Sequence, residues 1–225
     1  MKNEKALTPL NIFTAVIIAV LVISASVTFT LFDRSAYARM LERVDIADMT
    51  GFSEEEILAN YNALIDYNSV FFKGPLSFPD FEMSDSGRTH FEEVKSIFSA
   101  IQIALMVSAA LTAFLCNMLL RKRNIMFLRL GGILSLAIPA FIVCVMAIIG
   151  WDRFFVIFHK IFFNNEYWVF DYRTDPVILI LPDSWFLNCL IRIIIGIAAA
   201  SAILIIGSIT LEKTSIIINK QTLNH

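Results

Sequence analysis

The chain has 225 residues, 57% of them hydrophobic, with a formal net charge of −2. Soluble domains carry about 45–50% apolar residues, so this composition excludes an ordinary water-soluble globular protein. A near-neutral balance with one basic cluster, Arg121-Lys122-Arg123, excludes a nucleic-acid binder.

Residues 1–8 are polar, with Lys2 and Lys5. The apolar run 9–32 is longer than the 7–15-residue core of a signal peptide and lacks a small-residue cleavage site, so it reads as a retained span. Residues 33–96 are hydrophilic, with six basic and thirteen acidic residues. Within them Ser53 and Glu56 form a capping-box signature. Ile57, Leu58, Tyr61, Leu64 and Ile65 follow it at helical spacing. Gly74-Pro75 and Phe78-Pro79 break the chain into loop. Ser86-Gly87 leads into a second helix start holding His90, Glu92, Glu93 and Lys95, which continues without a breaker into the second span, 97–120. A turn at 121–124 precedes the third span, 125–150, where Gly131, Gly132 and Pro139 mark close packing or a kink.

Residues 151–186 cannot span a membrane, because Asp152, Arg153, Lys160, Glu166, Asp171, Arg173, Asp175 and Asp183 lie among them. Yet Phe and Trp recur throughout, and all three Trp of the chain, at 151, 168 and 185, fall here. If His159 lies on a helix, Phe155, Phe162 and Phe163 share its face. This is the pattern of an amphipathic aromatic belt at a membrane surface. The fourth span, 187–211, is rich in small residues, and 212–225 form a tail.

Lys2 and Lys5, the basic turn with Arg129, and Lys213 with Lys220 fall on one side of four spans, which the positive-inside rule makes cytoplasmic. The expected fold is therefore an all-α integral membrane protein of four transmembrane helices. Both termini are cytoplasmic, and an extracellular cap is formed by residues 33–96 and 151–186.

His90 precedes the second span by about two turns, and His159 follows the third by nine residues. Both are expected just above the outer membrane surface. Two imidazoles at one depth can act as base and acid near neutral pH; the alternative is that each is an ordinary interfacial polar residue. His225, at the cytoplasmic end, has no role. Asp175, between Thr174 and Pro176, favours a turn and could orient an imidazole through Nδ1; equally, it and Asp171 and Asp183 could cap turns. Two His and an Asp without metal-ligand spacing are a weak metal signal. Cys116, Cys144 and Cys189 lie in or beside apolar runs with no Cys-x-x-Cys, which gives neither a disulfide framework nor a zinc site. No Gly-x-Ser-x-Gly elbow, exposed nucleophilic Cys or glycine-rich phosphate loop occurs, so covalent catalysis through a protein nucleophile is not expected. Ionisable groups inside the spans are confined to Arg129 and Arg192 near span ends, which favours surface chemistry over transport.

At these residues the sequence resembles the lipoprotein intramolecular transacylases of Gram-positive bacteria. The resemblance rests on Phe158-His159, Phe162-Phe163, Asn165-Glu166, Trp168, Asp171, Thr174-Asp175, residues 182–186, and the segment from His90 to Lys95. In layout it covers nearly the whole chain. It implies a plasma-membrane enzyme with an extracellular active site, acting on a diacylated lipoprotein within membrane lipid. The enzyme would move the sn-2 acyl chain of the lipid onto the α-amino group of the N-terminal cysteine, giving the lyso form. No cofactor or metal is implied. His90 and His159 would be the catalytic pair. Phe155, Phe158, Phe162, Phe163, Asn165, Trp168 and Asp175 would bind or orient the substrate. Two other readings stand beside it: a non-catalytic membrane factor whose cap binds a partner or lipid, and a metal-dependent membrane hydrolase.

Overall fold

A computed structural model describes residues 7–121 and 125–223. Lys2, Lys5, His225 and residues 122–124 of the expected turn lie outside the described residues. All regular structure among the described residues is helical: α1 Pro9–Phe32, α2 Arg34–Leu41, α3 Ile46–Thr50, α4 Glu54–Tyr67, α5 Asp85–Arg121, α6 Met126–Ser135, α7 Ala137–Ile149, α8 Trp151–Phe162, a 3-10 helix Pro176–Ile180, and α9 Asp183–Leu223. Four stretches are long and apolar enough to cross a bilayer: Pro9–Phe32, Asp85–Leu120, Met126–Ile149 and Asp183–Thr214. This is a multi-pass membrane protein.

Two compact units divide the chain. The first comprises Met1–Ser26, Ala104–Cys144 and Ile193–His225. Its core is Ile18, Val22, Leu119, Phe127 and Ile197. In hydrocarbon the helices gain little from burying apolar surface against one another, so close approach of backbones does more of the work. A Cβ on Gly131 would lie 2.7 Å from Ile18 Cγ2, and one on Gly132 would lie 2.9 Å from Ile205 Cγ1 and 3.0 Å from the Ser201 carbonyl oxygen. Thr14 and Ser135 return their hydroxyls to the carbonyls of Leu10 and Gly131, each at 2.8 Å, which leaves no polar demand on the lipid. Arg129 pairs with Glu212 at 2.6 Å. The third span is not one continuous helix: α6 ends at Ser135 and α7 begins at Ala137. Pro139 is the cause, since it lacks an N–H for the Ser135 carbonyl and its ring crowds that group. Gly132→Val is expected to lower stability by about 1–3 kcal/mol. Thermal unfolding in detergent checks this, with Gly207→Ala, which meets open space and improves helix propensity, as the control that loses no stability.

The second unit comprises Val27–Ile103 and Val145–Arg192. Ser53 accepts from the Glu56 N–H and the Glu56 carboxylate accepts from the Ser53 N–H, a complete capping box that starts α4. The helix then buries Ile57, Tyr61, Leu64 and Ile65. Tyr37 stacks on Tyr61 at 3.6 Å, meets Trp185 edge-on at 5.2 Å, and donates to the Ile180 carbonyl at 2.6 Å. Gln102 of α5 donates to the Asn68 carbonyl and accepts from the Val70 N–H, tying the loop after α4 to that helix. Arg192 pairs with Asp33. The helix α9 runs past the apolar stretch 187–211 at both ends, because no Gly or Pro interrupts 183–223 except within the lipid-spanning part.

Candidate active site

The site is built in the second unit on the first turns of α5, on α8, and on the segment 163–175. The start of α5 is fixed first. Ser84 Oγ accepts from the Gly87 N–H at 3.0 Å, which caps the helix. Asp175, 2% exposed, then takes hold of the cap: its Oδ1 accepts from the Ser84 N–H at 2.9 Å and the Ser84 hydroxyl at 3.0 Å, and its Oδ2 accepts from Thr174 Oγ1 at 2.8 Å. Asp171 shapes the turn that presents Asp175. Its carbonyl accepts from the Thr174 and Asp175 N–H groups. Its side chain accepts four hydrogen bonds from three N–H groups of Arg173, which hold that carboxyl down at about 2. Gly87 makes the docking possible, since a Cβ there would sit 2.2 Å from Asp175 Oδ1.

His90 follows one turn later and is buried, 5% exposed. Phe163, Phe170 and Phe91 surround its ring at centroid distances of 4.7, 5.5 and 5.8 Å. Its Nδ1 is buried without a hydrogen-bond partner among the described residues.

The other imidazole comes from α8. Gly150, at φ 80°, takes the left-handed conformation that lets α8 begin directly after α7. The helix has no fully buried residue, and Ile157, Ile161 and Phe162 are exposed, as suits a helix lying along an interface. His159 is half-buried on it. Phe155 lies 4.2 Å from its ring, Trp168 4.7 Å, Phe158 5.5 Å and Phe163 5.7 Å. Nδ1 of His159 and the Phe155 carbonyl oxygen are 2.7 Å apart. A carbonyl can only accept, so Nδ1 carries the proton and the neutral ring keeps its lone pair on Nε2.

The two imidazoles face one another at 6.2 Å between centroids, inclined by 33°. Phe163 touches both. Burial pushes the His159 imidazole below its ordinary 6.5, against a smaller opposing effect of the bond to Phe155. The sign follows. The unfolded chain binds the proton more readily, so this group's contribution to stability is complete above 6.5 and is lost as pH falls through the lower folded-state value. The Cε1 NMR signal of His159, assigned by comparison with His159→Asn, is expected to titrate with a midpoint below 6.5. A midpoint at or above that value would mean a solvated ring.

Of the residues expected to bind or orient substrate, Phe155, Phe158, Phe163 and Trp168 line His159. Phe162 does not reach an imidazole ring; it packs on Phe158 at 4.6 Å, because α8 ends there and Phe163 turns inward in extended conformation. Asn165 donates to Glu93 Oε1 at 2.8 Å. Asp175 bonds Ser84 and Thr174 and neither imidazole, so its hold is on the start of α5, one turn before His90, rather than on an imidazole Nδ1. Phe170, Ser84 and Gly87 were not among the expected site residues. Phe170 lies in coil without a period to flag it; a glycine in a helical first turn, where alanine is the better helix former, was the available signal for Gly87. Among the described residues no three His, Cys, Asp or Glu side chains converge as metal ligands.

Comparison with known proteins places these residues in context. The family described as "Lipoprotein intramolecular transacylase Lit" matches over residues 12–186. No curated relative matches the chain. The in meso structure of the membrane integral lipoprotein intramolecular transacylase Lit from Bacillus cereus is 31% identical, with 92% of this chain and 96% of that chain covered and a TM-score of 0.89. Two variant structures of the same bacterial protein, with one histidine replaced by arginine or by alanine, are each 30% identical with TM-scores of 0.84. Each covers 92% of this chain, and 92% and 94% of theirs.

Proposed function

The chain belongs to the family of lipoprotein intramolecular transacylases, and we propose on that footing that it moves the sn-2 acyl chain of a diacylglyceryl-lipoprotein onto the α-amino group of the lipoprotein's N-terminal cysteine. The observation that carries the reading is the facing pair His90 and His159, 6.2 Å apart within a shell of phenylalanine and tryptophan rings.

The substrate supplies both reacting groups. Its α-amine, with an ordinary pKa of about 7.7–8.0, is partly free near neutral pH. The amine nitrogen attacks the sn-2 ester carbonyl. His159 accepts the amine proton at Nε2, the nitrogen left free by the Nδ1–H bond to Phe155. The proton then crosses from His159 to His90, which burial pushes down to about 4 and so keeps neutral beforehand. As the acyl C–O bond breaks, His90 passes a proton on to the departing glyceryl oxygen. The net transfer is one proton from nitrogen to oxygen as a C–N bond replaces a C–O bond. No protein nucleophile or cofactor takes part. The enzyme's main task is to fold a tethered substrate so that nitrogen meets carbonyl, an effect worth several kcal/mol. The aromatic shell accommodates acyl chains and keeps water from hydrolysing the ester. The basic residues beside the spans favour cytoplasmic termini, with the histidine pair at the extracellular membrane surface among membrane lipids.

Substrate and product are isomers of equal mass, so the test is tandem mass spectrometry of a diacylglyceryl lipopeptide incubated with the full-length protein. The acyl chain is expected on the cysteine nitrogen. In a mixture of peptides labelled in the acyl chain and peptides labelled in the peptide part, no product molecule is expected to carry both labels. Unchanged substrate, or exchange of chains between molecules, would overturn the proposal.

A further inference from the structure

Glu93 lies one helical turn after His90 on the same side of α5. Asn165 fixes its carboxylate. The Asn165 Oδ1 accepts from the Tyr167 N–H at 3.0 Å, which turns Nδ2 towards Glu93, where it donates to Oε1 at 2.8 Å. Asn165 itself stands between Phe163, which touches both imidazoles, and Trp168, which packs on His159. The second carboxylate oxygen, Oε2, is buried and has no hydrogen-bond partner among the described residues. Nor does Glu93 form an ion pair there; the cations that are paired meet Asp33, Asp66, Asp171 and Glu212. The nearby Lys95 points elsewhere, to the Phe72 carbonyl and the Tyr67 ring.

A buried acceptor with no donor is destabilising, and folded proteins keep few of them. One held in place by a dedicated amide, one turn from the imidazole pair, is poised for a donor brought by a ligand. The transacylase reading, on which this inference rests, brings one such donor: the substrate's α-amino group, mostly ammonium near neutral pH. We propose that Glu93 Oε2 receives the α-ammonium of the substrate's N-terminal cysteine, and that Asn165 is the positioning residue that holds the carboxylate ready. Glu93 selects lipoproteins whose amine is still free and brings that nitrogen to the histidine pair. An already acylated amine has no charge to offer and is left out.

The test separates binding from chemistry. The probe is a dialkylglyceryl analogue of the S-glycerylcysteine peptide, whose sn-2 ether cannot transfer, made with a free or an acetylated amine. Full-length wild-type protein in detergent is expected to bind the free-amine probe at least about tenfold more tightly near pH 7, in line with a charge-assisted hydrogen bond. The preference should shrink as pH rises through the amine's pKa. Glu93→Gln keeps an oxygen for Asn165 and removes the charge; it is expected to lose the preference while its affinity for the acetylated probe is unchanged. Asn165→Ala, which frees the carboxylate to turn away, is expected to lose it as well, and gives a second reading if the glutamine variant does not fold. No preference in the wild type, or a preference that survives in both variants, overturns the role of Glu93. Absence of lyso-form product from the ester substrate with wild-type protein is a different failure and removes the transacylase reading itself.

Discussion

His159→Ala and His90→Ala are each expected to lower the rate of lyso-form production by about 10²–10⁴-fold, the range that general acid or base catalysis supplies. The two should fail for different reasons. His159 is half-buried near the exposed face of α8 and bonds a carbonyl of its own helix, so truncation removes the proposed proton acceptor and ring contacts with Phe155 and Trp168 that lie close to the surface. The thermal midpoint of this variant should stay close to wild type. His90 is buried beneath Phe163 and Phe170, so truncation also opens a cavity, and some loss of stability should accompany the loss of rate. His90→Gln, which fills more of that space, is expected to recover stability without rate. Tandem mass spectrometry of a reporter lipopeptide, run beside thermal unfolding, reads both quantities. Lyso-form product at the wild-type rate from either alanine variant would end the acid–base account.

Gly87→Ala is the second change with a large expected effect, although it touches neither imidazole. Its Cβ would stand 2.2 Å from Asp175 Oδ1 and 3.2 Å from Phe170 Cε1. A carboxylate can swing aside at little cost when it is free, but this one is buried and accepts from Ser84 twice and from Thr174 once. Either those bonds break or the start of α5 moves, and His90 moves with it. Displacement of a catalytic group by an ångström can cost about a hundredfold in rate, so a loss of about that size is expected, with the protein still inserted and helical. Pairing it with Asp175→Ala tests the cause. If the clash is responsible, the double variant loses much less than the product of the two single losses. Multiplicative losses would place the effect of Gly87 somewhere other than this contact.

Legibility in the sequence differed with the range of the interaction. The capping box at Ser53 and Glu56, the apolar face of α4, and the unbroken run of α5 from a polar start into an apolar span are all local patterns, and the structure contains them. The kink at Pro139 was also in view, though not that it would separate α6 from α7 at Leu136. Residue chemistry singled out Asp175, yet its partners could not be named, because Ser84 lies 91 positions away. Phe162 and Phe163 looked alike by helical spacing. The end of α8 between them turned one outward and the other against both imidazoles. Asn165 was a candidate for orienting the substrate or the histidines, while its bond to Glu93, 72 positions distant, was beyond any spacing rule.

By itself the sequence determined the class: four apolar helical runs, each long enough for the bilayer, and no soluble alternative. It could do so because a hydrocarbon core tests one short stretch at a time, demanding about 20 apolar residues whose backbone bonds are satisfied within the segment. Only the tertiary structure decided that His90 and His159 face each other, that Phe163 lies against both, and that Asp175 and Gly87 set where α5 begins. Those contacts join segments remote in the chain, and they follow from how side chains pack, for which no local period is a guide.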